Sequence, residues 1–73
     1  MKEMNEIKAI IEGLIFAAEV PLSLERITEI LQERGLGRRE ISGWIEELAA
    51  EHWERRGGFV LQEVAGGYQF RSR

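Results

Sequence analysis

The residues that could support catalysis are few. The only histidine in the 73 residues is His52, and the chain contains neither cysteine nor aspartate. Nucleophilic chemistry and metal binding each need several such groups close together, and one imidazole does not supply them. Glu46 and Glu47 are adjacent, so on a helix their side chains point about 100° apart and do not face each other as an acid/base pair. We therefore predict a protein that is not an enzyme, with no catalytic residue, solvated glutamates, and His52 at the edge of a packed helix face.

Two pairs of glycines raise the question of a phosphate-binding loop. Gly57-Gly58 and Gly66-Gly67 both lack the following Lys and Ser or Thr, and neither pair joins a strand to a helix as a phosphate loop does. Both pairs are typical of tight turns. We expect no cofactor, no bound metal and no small-molecule substrate.

Four arginines could contact a nucleic acid. Arg38 and Arg39 open the stretch "RREISGWIEELAAEHWERR", at the end where a DNA-reading helix contacts base edges, and Arg71 and Arg73 lie among the last three residues, on the predicted hairpin. Between its basic ends, however, that stretch carries five glutamates, and duplex DNA presents one negative charge per about 1.7 Å of its axis. The formal net charge is −3. We expect DNA binding by this domain alone to be weak or absent; the alternative for Arg38 and Arg39 is a solvated turn.

The first element that must position these residues is a helix. Apolar residues recur at three- and four-residue spacing from Met4 onward and predict a helix from about Asn5 to Ala18. Pro21 then disfavours helical geometry at Val20. The residues of the apolar stripe are Met4, Ile7, Ile10, Ile11, Leu14, Ile15 and Ala18.

A second helix is predicted to follow directly. Ser23 offers an N-cap oxygen to a helix that starts at Leu24, although Arg26 stands where the glutamate of a capping box would be. Gly35 supplies a left-handed stop after Arg34. The inward stripe is Leu24, Ile27 and Leu31, widened by Ile30.

A third helix and a hairpin complete the chain. The third apolar pattern ends near Arg55, and the segments "FVLQEVA" and "YQFRS" flank Gly66 and Gly67 as two strands would flank a tight reversal. Three helices followed by a two-stranded hairpin predict a winged helix, which is an α+β fold and mostly helical. The inward residues of the third helix are Ile41, Trp44, Ile45, Leu48 and Ala49.

Aromatic residues refine this picture. We place Trp44 in the core and Trp53 at the margin of the inward stripe. Tyr68 and Phe70 alternate with polar residues, so one face of the hairpin should pack on the helices.

The first helix has a second apolar side. At about 100° per residue, Ala9, Gly13, Phe16, Ala17 and, if the helix extends so far, Val20 lie away from the core stripe. Small side chains four residues apart let another helix approach closely, and a phenylalanine is a strong interface anchor. We predict a protein interface at these five residues. The alternative is that both sides of the helix pack within this domain, against the second helix and the hairpin.

Composition bounds the class of protein. A chain of this length forms one small domain and buries only about 60% of its unfolded surface, so a partner chain would help to stabilise it. The absence of cysteine fits a reducing compartment, and no signal peptide or run of eighteen apolar residues is present. The expected location is the cytoplasm, with no membrane association.

Two long segments resemble a known family. "IIEGLIFAAEVPLSLERITEIL" and "ISGWIEELAAEHWERRGGFVLQEVAGGYQFRSR" are similar to the N-terminal winged-helix domain of segregation and condensation protein B, the ScpB family, over nearly the whole chain. The ending "EVAGGYQFRSR" is the most specific part, because many amphipathic sequences could imitate the helices.

The resemblance implies a non-enzymatic subunit of the bacterial SMC–ScpA–ScpB complex, which acts in chromosome condensation and segregation. It implies a homodimer that binds the kleisin subunit ScpA and through it SMC, associated with the nucleoid in the cytoplasm. Such proteins have two winged-helix domains, so residues 1–73 would be a single domain and the N-terminal half of a longer protein. The alternative function is a winged-helix transcriptional regulator that binds DNA.

Overall fold

The structure confirms the predicted order of elements. The computed structural model describes the backbone of residues 2–73 and the side chains of residues 6–73, so Met4 of the predicted stripe has no described side chain. Three α-helices are followed by an antiparallel hairpin, which is the winged-helix arrangement. The elements are α1 (Lys2–Ala17), α2 (Leu24–Ile30), a 3-10 turn (Gln32–Arg34), α3 (Arg38–Arg55), β1 (Phe59–Val64) and β2 (Gly67–Ser72).

Helix boundaries agree with the local signals, with two differences. α1 begins three residues earlier than the apolar stripe predicted. Ser23 caps α2 by accepting a hydrogen bond of 3.0 Å from the backbone N–H of Arg26. α2 itself stops at Ile30, and the chain tightens into the 3-10 turn before Gly35 ends it at φ 73°.

The core is a cluster of branched aliphatic side chains contributed by all three helices and β1. Five isoleucines are fully buried and carry most of its volume. In α1 the most buried positions are Ile11 and Ile15, while Leu14 is only half-buried. Trp44 packs against the cluster at its edge. The buried isoleucines are Ile11, Ile15, Ile27, Ile41 and Ile45.

The hairpin is joined to the helices by a contact that the sequence pattern did not predict. Leu22, between α1 and α2, pairs with Tyr68 of β2 through two backbone hydrogen bonds of 2.9 Å. This pairing brings the Leu22 carbonyl so close to Gly67 that a Cβ there would lie 2.3 Å from it. Gly67 also has a φ of 143°, so glycine is required on both counts. The hairpin is thereby fixed against the start of α2.

Candidate interaction surfaces

The outer side of α1 is exposed from Ala9 to its C-terminal end at Ala17. Ala9, Gly13, Phe16, Ala17 and Val20 all remain accessible in the isolated chain, with Phe16 49% and Val20 66% exposed. The helix does not extend to Val20, which lies three residues beyond its end. No atom lies within 4 Å of where a Gly13 side chain would begin. The five residues predicted as an interface therefore form a largely apolar surface that this domain does not cover, and we call it the α1 face.

Phe16 is the member of the α1 face that also contacts its own domain. Its ring stacks on Phe70 of β2 at a centroid distance of 4.2 Å and meets Phe59 of β1 edge-on at 5.6 Å. Half of Phe16 is covered in this way, as the alternative of internal packing expected. Phe59 is itself 50% exposed, so the aromatic cluster stays open on its outer side.

A groove runs beside the α1 face, between α1 and the C-terminal end of α3. Its volume is about 300 Å³, and it brings together three members of the α1 face with Glu12, His52, Arg55 and the start of β1. Ala17 and Val20 lie outside it. The groove is open to solvent on the side where Phe16 and Phe59 are half-exposed. The α1 face and the start of the hairpin therefore form one continuous exposed surface there.

The single histidine lies on the floor of this groove. His52 is only 6% exposed, more buried than the edge position predicted for it, and its Nε2 lies 2.6 Å from Oε2 of Glu12. The ring also meets Phe70 edge-on at 4.8 Å. This arrangement joins α3 to α1 and to the hairpin. Across the part of the chain that the structure describes, no three histidine or glutamate side chains converge on a site that could hold a metal ion.

Three of the five glutamates of α3 have definite partners. Glu40 accepts a hydrogen bond of 3.1 Å from the backbone N–H of Gly37 and so caps the helix. Glu47 accepts one of 2.8 Å from the ammonium group of Lys8 on α1, which also binds Glu51. These two carboxylates raise the pKa of Lys8 by favouring its charged form. Glu47 is 56% exposed, as expected of a solvated charge, and it also joins α3 to α1 through Lys8.

The four arginines predicted as a possible nucleic-acid contact do not form one patch. Arg38 is paired with Glu25 of α2 at 2.8 Å, and Arg39 lies beside it. Arg71 and Arg73 lie at the other end of α3, a helix of 18 residues and therefore about 27 Å long. Neither Arg39 nor Arg71 has a carboxylate within 4 Å among the described side chains. A nucleic-acid contact stays a prediction, with its arginines divided between two sites.

Arg73 is held firmly by backbone carbonyls. Its guanidinium donates hydrogen bonds to the carbonyls of Gly57 at 3.0 Å, Trp53 at 2.7 Å and His52 at 3.2 Å. The same group lies over the ring of Trp53, 4.7 Å from its centroid. Arg73 thus caps the C-terminal end of α3, where free carbonyls attract a cation.

Trp53, Arg55 and Arg56 are exposed beside Arg73, and the sequence interpretation missed them as a surface. The stretch "WERRGG" was the available signal. This stretch forms a surface only together with Arg73, and the sequence pattern does not show that the hairpin brings Arg73 back to Trp53. No helix among the described residues is long and apolar enough to cross a membrane.

Comparison with known proteins identifies the relatives of this chain. The model of the family "Segregation and condensation complex subunit ScpB" matches residues 9–73. Segregation and condensation protein B of Myxococcus xanthus is 38% identical over 68 residues, which cover 93% of this chain and 20% of that protein. The homolog from Coxiella burnetii is 39% identical over 74 residues, covering all of this chain and 34% of that one. The chain spans about a third or less of the length of these relatives.

Solved structures agree with the fold. A crystal structure of a dimer of the ScpB N-terminal domain complexed with ScpA peptide is 30% identical and matches with a TM-score of 0.86, covering all of this chain and 82% of that one. ScpB from Mycobacterium tuberculosis is only 17% identical, yet it has a TM-score of 0.85 over 94% of this chain and 41% of its own. The second match shows that the fold is retained at low identity.

Proposed function

The chain belongs to the ScpB family of segregation and condensation complex subunits, and on that premise we propose that it is a non-enzymatic structural module of a bacterial SMC complex. The module dimerises and contributes to binding the kleisin subunit ScpA. Its complex acts in chromosome condensation and segregation, in the cytoplasm and at the nucleoid.

The observation that carries the dimerisation proposal is the α1 face. Exposed apolar surface on one side of a helix costs free energy in water and is typical of a site for another protein. Gly13 strengthens the argument because a glycine inside a helix is less stable than alanine by about 1 kcal/mol, and nothing within this domain needs the space it leaves. A second copy of the chain that approaches closely at Gly13 would use that space.

The kleisin part of the proposal is supported by the relatives. The crystal structure at 30% identity is of a dimer complexed with an ScpA peptide, and the present chain aligns over its full length with that domain. The curated relatives are about three to five times as long as this chain, and the matching solved domain is N-terminal, which supports the proposal that this winged helix is the N-terminal domain of a longer, two-domain protein. Kleisin binding by the present domain would then be one of two contributions.

Light scattering of the purified chain tests the dimer. At micromolar concentrations we expect twice the monomer mass. Val20→Glu, at the exposed end of the α1 face, should shift the equilibrium toward monomer because a carboxylate would have to be buried. Ile30→Glu is the matched control, because Ile30 is a 41% exposed aliphatic residue on α2, away from the α1 face.

The outcomes are distinct. A monomeric wild-type chain, or a Val20→Glu variant that dimerises as well as the wild type, would contradict the α1 face as the interface. Loss of the dimer in both variants would show that dimerisation depends on net charge and does not depend on this face. Circular dichroism of each variant verifies that the monomer is folded.

A further inference from the structure

A strongly basic surface lies at the C-terminal end of α3. Arg55 is the last residue of α3 and Arg56 is its C-cap, while Arg71 lies in the adjoining strand β2 and Arg73 directly follows that strand. Within residues 53–56 and 71–73, Glu54 carries the only acidic side chain, although the whole chain has a formal net charge of −3. Positive charge is therefore concentrated here. We call these four arginines, together with Trp53, the arginine surface.

Backbone contacts hold this surface in place. The three carbonyls bound by Arg73 fix its guanidinium over the Trp53 ring, and the backbone N–H of Arg73 binds the Gly58 carbonyl at 2.9 Å. The Arg55 side chain passes beside Gly57, where an added Cβ would lie 3.9 Å from its Cδ. A preorganised guanidinium loses less entropy on binding an anion than a free one.

The arginine surface has no internal carboxylate partner, although the guanidinium of Arg73 also binds the three backbone carbonyls at the end of α3. No carboxylate among the described side chains lies within 4 Å of any of its arginines. All four are exposed. Arg73 follows β2 directly, so strand alternation continued by one residue places it on the same side as Arg71, about 7 Å away. By contrast Arg26, Arg38 and Lys8 each bind a glutamate.

Apolar groups border the same charges. Trp53 is 63% exposed, and Phe59 at the start of β1 is half-exposed where the groove meets Arg55, Gly57 and Gly58. An aromatic ring beside a guanidinium binds an acidic peptide better than it binds a free anion. The reason is that an apolar side chain next to the peptide's carboxylate packs on the ring.

We propose that the arginine surface binds an acidic peptide segment of a partner protein, with carboxylates on the arginines and an aromatic side chain against Trp53. Arginine forks bind carboxylates in bidentate geometry. The proposal rests on the proposed function only in taking the partner to be another protein subunit. The surface adjoins the α1 face at the groove that Phe16, Arg55 and Phe59 line together.

A peptide fits this surface better than a nucleic acid does. The carbonyl end of α3 carries a partial negative charge, and Glu54 and Glu51 lie within its last two turns. A duplex, with its regular and dense phosphates, would bring negative charge against these groups as well as against the arginines. A peptide can place its carboxylates only where the arginines are.

Fluorescence anisotropy with a labelled Glu-Glu-Phe-Glu-Glu peptide tests the proposal on the 73-residue chain. We expect saturable binding that weakens about tenfold or more in Arg55→Glu/Arg56→Glu, since two charge-assisted contacts are reversed. The matched control is Arg34→Glu/Arg39→Glu, which changes the net charge equally at the other end of α3 and should weaken binding only slightly. Trp53→Ala should weaken the binding of the Glu-Glu-Phe-Glu-Glu peptide more than the binding of a peptide in which glycine replaces the phenylalanine.

Each other result overturns the inference. Equal loss in both double variants would mean general charge attraction. Absence of peptide binding would remove the site, and tighter binding of a short DNA duplex, lost in Arg55→Glu/Arg56→Glu, would assign the surface to nucleic acid. Light scattering of the same variants separates this question from dimerisation, because they should remain dimeric whether or not the peptide binds.

Discussion

The exposed sides of α1 and α3 have the same kind of backbone but opposite chemistry. Each helix buries isoleucines on one side, and each has an exposed internal glycine with no atom within 4 Å of an added Cβ, Gly13 on α1 and Gly43 on α3. The outer side of α1 is largely apolar, while that of α3 is rich in glutamate. In a winged helix the third helix is the usual DNA-reading element, whereas here the exposed apolar surface that we propose as the dimer interface is on the first.

The difference follows from what each side does inside the domain. Glu47 and Glu51 of α3 bind Lys8, and Glu40 caps the helix, so three of the charges that would repel DNA stabilise the fold. The α1 face has no comparable role, apart from the half of Phe16 that packs on the hairpin. What remains is apolar surface in need of a partner.

The largest expected effect concerns the anchor of the α1 face. Phe16→Ala should weaken the dimer by about 2 kcal/mol or more, roughly thirtyfold in the dissociation constant, because large aromatic residues dominate interface energies. Sedimentation equilibrium measures this. Trp44→Ala on α3 is not a suitable control because Trp44 packs against the core, so Trp53→Ala, which is exposed on α3, serves instead. If both substitutions weakened the dimer equally, the outer sides of α1 and α3 would not differ in their contribution to dimerisation.

The next effect concerns the bond that joins the two helices. Glu12→Ala leaves the buried His52 Nε2 without its partner and should lower the free energy of unfolding by about 1–3 kcal/mol. Urea denaturation measures it. Glu6→Ala, an exposed glutamate earlier in α1, is the control and should change stability by less than about 0.5 kcal/mol. A Glu12→Ala chain as stable as the control would show that the pair contributes nothing.

The two glycines allow a matched test. Gln is a better helix former than glycine, so Gly13→Gln and Gly43→Gln should each stabilise the monomer by about 0.5 kcal/mol. Only Gly13→Gln should also weaken the dimer, because its side chain would fill the space that a second copy needs. Unfolding at low concentration and light scattering at high concentration separate the two effects. Dimerisation unchanged in Gly13→Gln would exclude close approach at that position.

The smallest effect is a dependence on alkaline pH. Hydrogen bonds from Lys8 to Glu47 and Glu51 raise the pKa of Lys8 above 10.5, and burial raises the pKa of Tyr68 above 10.0. In both cases the folded state holds its proton to higher pH than the unfolded state. The contribution to stability is therefore complete below pH 10 and is lost as pH rises through the folded pKa values.

Substitution of the salt-bridge partners isolates the Lys8 share. In a Glu47→Gln/Glu51→Gln chain we expect a loss of about 0.3–1 kcal/mol at neutral pH, since the pair is only partly buried. The stability of this chain should also fall less steeply above pH 10 than that of the wild type, as measured by urea denaturation at several pH values. An unchanged slope would assign the alkaline loss to Tyr68.

Several predictions from the sequence succeeded because their causes are local. The three helices, the Ser23 cap, the stop at Gly35 and the hairpin each depend on residues a few positions apart. Helical periodicity also places Phe16 on the side of α1 away from Ile11, at 100° per residue. Only the packing of the hairpin decided how much of that side stays exposed, because Phe59 and Phe70 cover half of Phe16.

The tertiary structure alone decided how distant side chains pair. Glu12 meets His52 across 40 residues, Lys8 meets Glu47 across 39, and Arg73 meets Trp53 across 20. No periodicity encodes such pairs, since they depend on the angles at which helices and hairpin pack. The sequence therefore determined the elements and their inward sides. The packing of those elements decided which charges form ion pairs within the domain and which, at the arginine surface, have no carboxylate partner.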